Sequence, residues 1–483
     1  MAMKYIIAID QSTQATKAVL FDEKGRFVGR ADRRHKQIIT ERGWVSHDLT
    51  EIYENTLQSV REVVDKTGID AASIAAVGIS NQRETTALWD KSGNPLAHAV
   101  VWQCARAKEI TERFQEEKEM VREKTGLSLS PYYPASKMAW LLTHIQPKEP
   151  FCLGTMDSWL IYKLTDGMSF YTDYSNASRT QLFNLHSLCW DQELCHLFGI
   201  PMTSLPEVMD SNACFGYTDF RGFLNKKIPI HGVMGDSHSA LYGQRCHCKG
   251  MAKATYGTGS SIMMNIGSTF AASHAGLATS LAWKIDGKVA YVLEGNIHYA
   301  GAVISWLQND LKLISSAKEA EELAAISNPE DGTVLVPAFT GLSAPYWKED
   351  AKAVLWGMSR TTGRAEIAKA ALDSIAFQVM DVLNAMERDS ACSLKELCVD
   401  GGPAKNSRLM QFQSDIAKQT LRASKQEELS AIGVAYLTGM AAGISKEEEI
   451  FGQIEYDIYT PTMDSQTRIR RVNQWNEALS AIL

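Results

Sequence analysis

The sequence predicts a two-lobed α/β protein in which each lobe contains a mixed sheet flanked by helices. Apolar runs of strand length alternate with helical patterns along the whole chain. At 483 residues the chain is also too long for a single hydrophobic core. Finally, a strand–turn–strand unit with a small polar turn occurs once in each half, at residues 5–21 and 254–264. Two such turns indicate two lobes that face one anionic ligand.

Apolar and β-branched runs predict the strands of the first half, at residues 5–10, 16–22, 27–30, 74–80 and 228–236. Apolar residues spaced by three and four predict its helices, at residues 50–66, 105–125 and 136–145. Because a hairpin precedes the helix and the next strand, the sheet is expected to be mixed rather than parallel.

The second half has the same alternation without obvious sequence identity to the first. Its strands are predicted at residues 253–257, 261–266, 289–294, 333–337 and 397–400. Its helices are predicted at residues 300–313, 318–326, 364–388, 406–418 and 427–441. Gly243 and Gly250 punctuate a polar stretch between the halves, so we place the domains at 1–245 and 246–483.

Composition excludes several classes of function. The formal net charge is −7 without a long basic run, which argues against nucleic-acid binding. No apolar stretch is long enough to span a membrane, and the short apolar start before Asp10 argues against a signal peptide. The nine scattered cysteines indicate reduced thiols in a cytoplasmic protein. Cys246-His247-Cys248 lacks a second ligand pair at zinc spacing.

The turn after the first strand combines residue types that a metal–polyphosphate requires. Asp10 supplies a carboxylate, Thr13 a hydroxyl, Gln14 an amide and Lys17 a cation. The alternative is an ordinary β-hairpin with a polar tip.

Two further turns have the same character. Residues 257–261 form a glycine- and hydroxyl-rich turn, and residues 400–406 place Gly402 and Asn406 before a helix. Such turns allow backbone N–H groups, here those of Gly257 and Thr258, to approach phosphate. Helix capping by Asn406 is the alternative role.

A second group of residues fits an acceptor that carries hydroxyls. Arg83 and Glu84 follow the strand at 74–80 and could hold a vicinal diol, although a surface ion pair is the alternative. Trp102 and Tyr132 could supply a wall and a hydroxyl. Asp236 could accept the proton of a hydroxyl that attacks phosphorus, or could cap a helix.

These residues lie within long stretches that resemble the FGGY family of carbohydrate kinases. Residues 132–141 and 353–373 match its two signatures, and the resemblance covers nearly the whole chain. The segments that resemble the glycerol kinases of this family are 81–85, 101–104, 172–180, 336–342 and 411–415. The resemblance implies two actin-like (ribonuclease-H-like) domains with an active-site cleft between them. It also implies ATP and Mg²⁺ as cofactors and a homodimer or homotetramer.

The resemblance also implies roles for individual residues. Asp10 matches the carboxylate associated with Mg²⁺, and Asp236 matches the general base. The residues that match ATP contacts are Thr13, Gln14, Lys17, Gly257, Thr258, Gly301, Gly402 and Asn406. The residues that match the polyol site are Arg83, Glu84, Trp102, Tyr132 and Asp236.

Three residues depart from the glycerol kinase pattern at the acceptor site. Ser237 stands where an amide is usual, Ser261 where an aromatic residue is usual, and His298 where an apolar residue is usual. Loss of an aromatic side chain leaves space that water or a longer substrate fills. We therefore expect a kinase for a four- or five-carbon polyol or ketose.

Three alternatives stay open. The first is glycerol kinase activity in a site whose residues have drifted. The second is a kinase of the same fold for a sugar acid or ketopentose. The most distant one is a non-catalytic, actin-like ATP-binding protein.

Overall fold

The computed structural model describes residues 3–148 and 150–483. The chain forms two α/β halves, each with a mixed sheet, as the sequence predicts. The strands of the first half are β1 (Tyr5–Gln11), β2 (Ala15–Asp22), β3 (Phe27–Arg34), β4 (Ile38–Ile39), β5 (Val45–His47), β6 (Ile74–Asn81), β7 (Thr86–Asp90), β8 (Ala99–Val100), β9 (Phe151–Thr155), β10 (Tyr171–Asp173), β11 (Phe183–Asn184), β12 (Cys189–Trp190), β13 (Glu207–Met209), β14 (Cys214–Thr218) and β15 (Ile228–Gly235). Its helices are α1 (Leu49–Thr67), α2 (Lys108–Arg113), α3 (Lys118–Thr125), α4 (Pro134–Ile145), α5 (Met156–Leu164), α6 (Tyr174–Ala177), α7 (Gln192–Leu197) and α8 (Asp236–Gly243).

The second half contains the remaining elements. Its strands are β16 (Met251–Tyr256), β17 (Ser260–Gly267), β18 (Ala278–Ile285), β19 (Lys288–Ile297), β20 (Val334–Val336), β21 (Val354–Trp356), β22 (Glu396–Gly401), β23 (Leu421–Ser424) and β24 (Tyr456–Tyr459). Its helices are α9 (Gly301–Asn309), α10 (Ala317–Ile326), α11 (Arg364–Ser390), α12 (Ser407–Ala417), α13 (Leu429–Ala441), α14 (Glu447–Phe451) and α15 (Ser465–Ser480).

The two large sheets share one topology. The first has the order β14-β15-β6-β1-β2-β3, and the second has the order β18-β19-β17-β16-β22-β23-β24. In each, a parallel trio (β1, β6 and β15, or β16, β22 and β23) continues into an antiparallel hairpin. The β1–β2 and β16–β17 turns therefore occupy equivalent positions in the two halves.

Helices α8 and α13 pack closely where the two halves meet. A Cβ atom on Gly433 would lie only 1.9 Å from the carbonyl oxygen of Ser239, so only glycine allows this approach. One buried cluster joins the two sheets here, since it contains Ile6 of β1, Met263 of β17 and Leu437 of α13. The contact holds the sheets on either side of a cleft.

The structure differs from the sequence-based expectation at several places, which include the unpredicted strands β7, β9, β23 and β24 and the unpredicted helix α5. The helix expected at 105–125 is divided into α2 and α3, because residues 115–117 tighten into a 3₁₀ turn. Strand β18 was missed, since its first residues are small and a register shift near Leu281 interrupts its alternation. Asp236 is the first residue of α8 rather than the last residue of a strand.

Within residues 3–148 and 150–483, the helices are too short or too polar to cross a membrane. The nine cysteines carry free thiols, which agrees with the expectation from their spacing.

Candidate active site

A cavity of about 700 Å³ lies in the cleft between the two halves. Both halves contribute predicted site residues to its wall, namely Asp10, Lys17, Asp236, Ser237, Ser261 and Gly402. The cavity therefore brings together the expected metal carboxylate, the expected general base and the two serines, Ser237 and Ser261, that depart from the glycerol kinase pattern.

Asp10 lies at the end of β1, where it pairs in register with Lys17 of β2. The Lys17 Nζ is 3.5 Å from Asp10 Oδ2 and 2.7 Å from Glu428 Oε2. Burial raises the pKa of the Asp10 carboxyl to about 6, although Lys17 opposes the shift. A cation placed beside this carboxylate would relieve that cost.

The described residues contain no group of three or more His, Cys, Asp or Glu side chains placed to hold a metal ion. Mg²⁺ commonly uses one or two carboxylates together with substrate phosphates and water. Asp10 fits a magnesium site of that kind and does not fit an all-protein metal cage.

The two expected phosphate turns are anchored to neighbouring elements. The hydroxyl of Thr13 accepts a hydrogen bond from the Trp102 indole N–H at 2.9 Å, and Gln14 is exposed. The carbonyl oxygens of Gly257 and Thr258 accept hydrogen bonds from N–H groups at the start of α9, among them that of Gly301. These bonds connect the expected phosphate turns to α9 and to Trp102.

One expected phosphate donor is engaged within its own turn. The Gly257 N–H donates to the carbonyl oxygen of Gly259 at 2.8 Å. This amide therefore does not face the cleft as the sequence suggested, because the turn satisfies it locally.

A second cavity of about 530 Å³ adjoins the first along α12. Gly301, Gly402 and Asn406 all line it, and Gly402 lines both cavities. The Asn406 side chain also accepts a hydrogen bond from the Leu409 N–H at 2.9 Å, so it caps α12 as the alternative reading proposed. Three predicted ATP residues thus share one space next to the cleft.

On the acceptor side, Arg83 contacts Asp236 directly. Its Nε lies 3.2 Å from Asp236 Oδ1, and its two terminal nitrogens each donate to Glu294 at 2.9 Å. Arg83 is 7% exposed and Asp236 36% exposed, measured on their side chains. The base candidate therefore reaches the cavity while a buried guanidinium fixes its orientation.

Glu84 and Arg179 extend this network below the cavity. The Arg179 Nε donates to Glu84 Oε1 at 2.6 Å, and its Nη1 lies 2.9 Å from Glu294 Oε2. Glu84 has a left-handed backbone with φ of 62°, which costs a non-glycine residue about 1–3 kcal/mol. Such strain persists only where the surrounding contacts hold it. Here the Glu84 carboxylate accepts from Arg179, and its carbonyl oxygen accepts from the Thr86 hydroxyl at 3.2 Å.

Burial alone would raise the pKa of the Glu294 carboxyl. Arg83 and Arg179 hold it well below its ordinary value instead. Glu294 is therefore an ionised carboxylate beneath the expected acceptor site.

Trp102 and Tyr132 form an aromatic wall, with ring centroids 5.6 Å apart in an edge-to-face arrangement. The turn that carries Tyr132 is held by Lys137, whose Nζ donates to the carbonyl oxygens of Pro131 (2.7 Å) and Tyr132. Burial lowers the pKa of the Lys137 ammonium to about 7. The buried Lys137 side chain thus fixes the turn that carries one ring of the wall.

The three residues that depart from the glycerol kinase pattern lie in different places. Ser237 and Ser261 line the cleft cavity, and the Ser261 hydroxyl donates to Glu294 Oε1 at 3.3 Å. His298 follows β19 with an exposed side chain and is not part of the lining of either cavity. The structure therefore does not bring His298 to the other predicted site residues.

Several residues at the site had no predicted role, among them Glu294, Arg179, Lys137 and Glu428. Arg179 and Lys137 lie in stretches that resemble the family, and a carboxylate in the apolar run 289–294 was a usable signal. Glu428 precedes α13, and nothing in its local sequence points to Lys17.

Comparisons with known proteins agree with this geometry. Models of the FGGY family of carbohydrate kinases match residues 5–243 (N-terminal domain) and 252–442 (C-terminal domain). Glycerol kinase 1 of Thermotoga maritima is 46% identical over 490 residues, which cover 99% of each protein. Glycerol kinase of Brevibacillus brevis is 43% identical over 494 aligned residues, which cover 100% of this chain and 99% of the relative.

Among solved structures, Plasmodium falciparum glycerol kinase with ADP has a TM-score of 0.94 at 35% identity. The match covers 100% of this chain and 98% of that one. The chain therefore belongs to the FGGY family of carbohydrate kinases, enzymes that transfer a phosphoryl group to an alcohol.

Proposed function

We propose that the chain transfers the γ-phosphoryl group of ATP to a primary hydroxyl of a polyol, with glycerol as the first candidate. The observation that carries this proposal is the cleft cavity, in which Asp236, oriented by Arg83, shares one space with Asp10 and Lys17. The names of the full-length relatives favour glycerol over the longer acceptors that the sequence suggested.

In the proposed reaction, a polyol hydroxyl attacks the γ-phosphorus of ATP in line with the bond to the departing ADP. Asp236 takes the proton of that hydroxyl as the new P–O bond forms and the old one breaks. Arg83 orients Asp236 through its Nε and can offer its remaining N–H groups to an acceptor hydroxyl. Trp102 and Tyr132 pack against the carbon chain.

The donor would occupy both cavities. Asp10, Lys17 and the turns carrying Thr13, Gln14 and Thr258 would face the phosphates, and Gly301, Gly402 and Asn406 would face the nucleoside. Mg²⁺ held by Asp10 would neutralise charge on the phosphate oxygens. Lys17 pairs with Glu428 at 2.7 Å and has further N–H donors that would face the phosphate.

A second candidate acceptor is a four- or five-carbon polyol or ketose. Ser237 and Ser261 both line the cleft cavity, where larger side chains are usual in the glycerol kinases. Their small size leaves room for another carbon with its hydroxyl. His298 lies outside this space and does not support the candidate.

Steady-state kinetics over glycerol, tetritols, pentitols and ketopentoses decide between the two acceptors. A kcat/KM for glycerol above every longer compound supports the first candidate, and the reverse order supports the second. Asp236→Asn should retain nucleotide affinity and lose transfer. A residual rate above a few per cent of wild type, by order of magnitude, would remove Asp236 from the base role.

Three broader expectations accompany the proposal. We propose the domain division at 1–245 and 246–483, a homodimer or homotetramer, and a cytoplasmic location. The two family models, which end at 243 and begin at 252, support the division.

A further inference from the structure

A buried network of four charged side chains crosses from one half of the protein to the other beneath the acceptor site. Arg83, Glu84 and Arg179 come from the first half, and Glu294 comes from β19 of the second. Their side chains are between 1% and 7% exposed. Four ionised groups this deeply buried are costly unless their geometry is well satisfied, so their arrangement calls for a function.

Glu294 is the centre of the network. Its Oε2 accepts from Arg83 Nη1 and its Oε1 from Arg83 Nη2, both at 2.9 Å. The same Oε2 lies 2.9 Å from Arg179 Nη1, and Arg179 in turn binds Glu84 at 2.6 Å. A fork-to-fork pair of this kind fixes the plane of the guanidinium as well as its position.

We propose that Glu294 is a positioning residue that assembles the acceptor site across the cleft, acting on Arg83 directly and on Glu84 through Arg179. This inference rests on the proposed function, because Arg83 and Glu84 are the side chains expected to hold the acceptor. The site is complete only when β19 lies against the first half.

The backbone of Glu84 supports this coupling. Its left-handed conformation is unfavourable for glutamate, and the bond from Arg179 to its carboxylate is one of the contacts that act on this residue. Without Glu294, Arg179 loses its second carboxylate, and the segment around Glu84 can relax away from the acceptor.

The coupling also gives Ser261 a second role. Its hydroxyl donates to the Glu294 Oε1 that receives Arg83. A phenylalanine cannot make this bond, so the network in this chain has one more donor than it would have with phenylalanine at position 261.

Glu294→Gln is the direct test, with Glu396→Gln as its matched control. Glu396 lies on β22 of the same sheet and pairs with Arg422 at 3.4 Å, away from the cleft. In Glu294→Gln the acceptor KM should rise, and kcat/KM for the acceptor should fall by on the order of a hundred-fold, the cost that a misplacement of about 1 Å in the site can carry. The KM for ATP should stay within about threefold of wild type, and the control should leave both unchanged.

Glu294→Asp separates positioning from charge balance. It keeps the charge but is one methylene shorter, so it cannot reach both terminal nitrogens of Arg83. Its acceptor KM should remain raised by about tenfold or more. Wild-type kinetics in this variant would overturn the proposal.

Amide hydrogen exchange at residues 81–86 provides a readout that needs no activity. In Glu294→Gln these amides should exchange about tenfold faster, with no change in β22. If Glu294→Gln does not fold, Arg179→Lys removes the bond to Glu84 and should give the same two effects. Unchanged exchange and acceptor KM in the folded variant would refute the inference. If the wild-type protein hydrolyses ATP without an acceptor, the proposed function fails. The hydrogen exchange of residues 81–86 in Glu294→Gln then decides the inference by itself.

Discussion

Replacing Asp10 by asparagine is expected to stabilise the free protein and to abolish phosphoryl transfer. Asp10 is 5% exposed, and its charge lies near those of Asp236 and Glu428. The substitution removes the charge and keeps the shape. Lys17 does not become an unpaired cation, because Glu428 remains 2.7 Å away.

The size of the effect follows from the pKa of Asp10, which burial raises from 3.8 to about 6. Between these values the native state binds more protons than the unfolded state, so stability falls as pH rises through that window. At 1.36 kcal/mol per pKa unit, the ionised carboxylate costs about 3 kcal/mol above pH 6. By pH 5 the cost falls to roughly half of this value.

Thermal unfolding without Mg²⁺ or nucleotide tests the prediction at pH 8 and pH 5. Asp10→Asn should melt several degrees higher at pH 8, at roughly 2–4 °C per kcal/mol for domains of this size. Its advantage should shrink at pH 5. The exposed Asp350, with 79% of its side chain accessible, provides the control Asp350→Asn, which should not shift the melting temperature. A variant that melts below wild type at pH 8, or an advantage that grows in acid, would refute the reasoning.

Three further substitutions have defined outcomes. Gly433→Ala places a Cβ 1.9 Å from the Ser239 carbonyl oxygen and should destabilise the protein by about 1–3 kcal/mol in thermal unfolding. Gly363→Ala is the control and should leave stability unchanged, because its Cβ would meet only the Glu366 carboxylate at 3.4 Å. Lys137→Met removes the donors that hold the turn carrying Tyr132, so the acceptor KM should rise by about tenfold while the KM for ATP is unchanged. Equal changes in the two KM values would contradict a local effect. Ser261→Phe fills part of the cleft cavity and should lower kcat/KM for four- and five-carbon acceptors by about tenfold relative to glycerol. If the ratio of these kcat/KM values to that for glycerol is unchanged, Ser261 does not select acceptor size.

Local chemistry was sufficient to predict the two halves and to group the candidate donor-binding residues. The turn from Asp10 to Lys17 carries its ligands within one hairpin, so short-range pattern places them together. The repeated turn at residues 257–261 likewise follows from local composition. The exception is the Gly257 N–H, which was expected to face phosphate but donates to the Gly259 carbonyl oxygen within the turn.

The contact between Arg83 and Glu294 could not be predicted in the same way. Arg83 and Glu294 are 211 residues apart in sequence, and their contact depends on the register of β19 and on how the halves meet. His298 lies only four residues beyond Glu294, yet it extends past the end of the strand and is exposed. Side-chain direction at a strand end is not determined by the strand pattern.

The most direct measurement of the central claim is ³¹P NMR of the reaction of the purified protein with ATP, Mg²⁺ and glycerol, followed by a four- or five-carbon polyol. The account predicts ADP together with a phosphomonoester on a terminal carbon, and no ATP consumption when the acceptor is omitted. Inorganic phosphate as the product, or ATP loss that is independent of the acceptor, would contradict it.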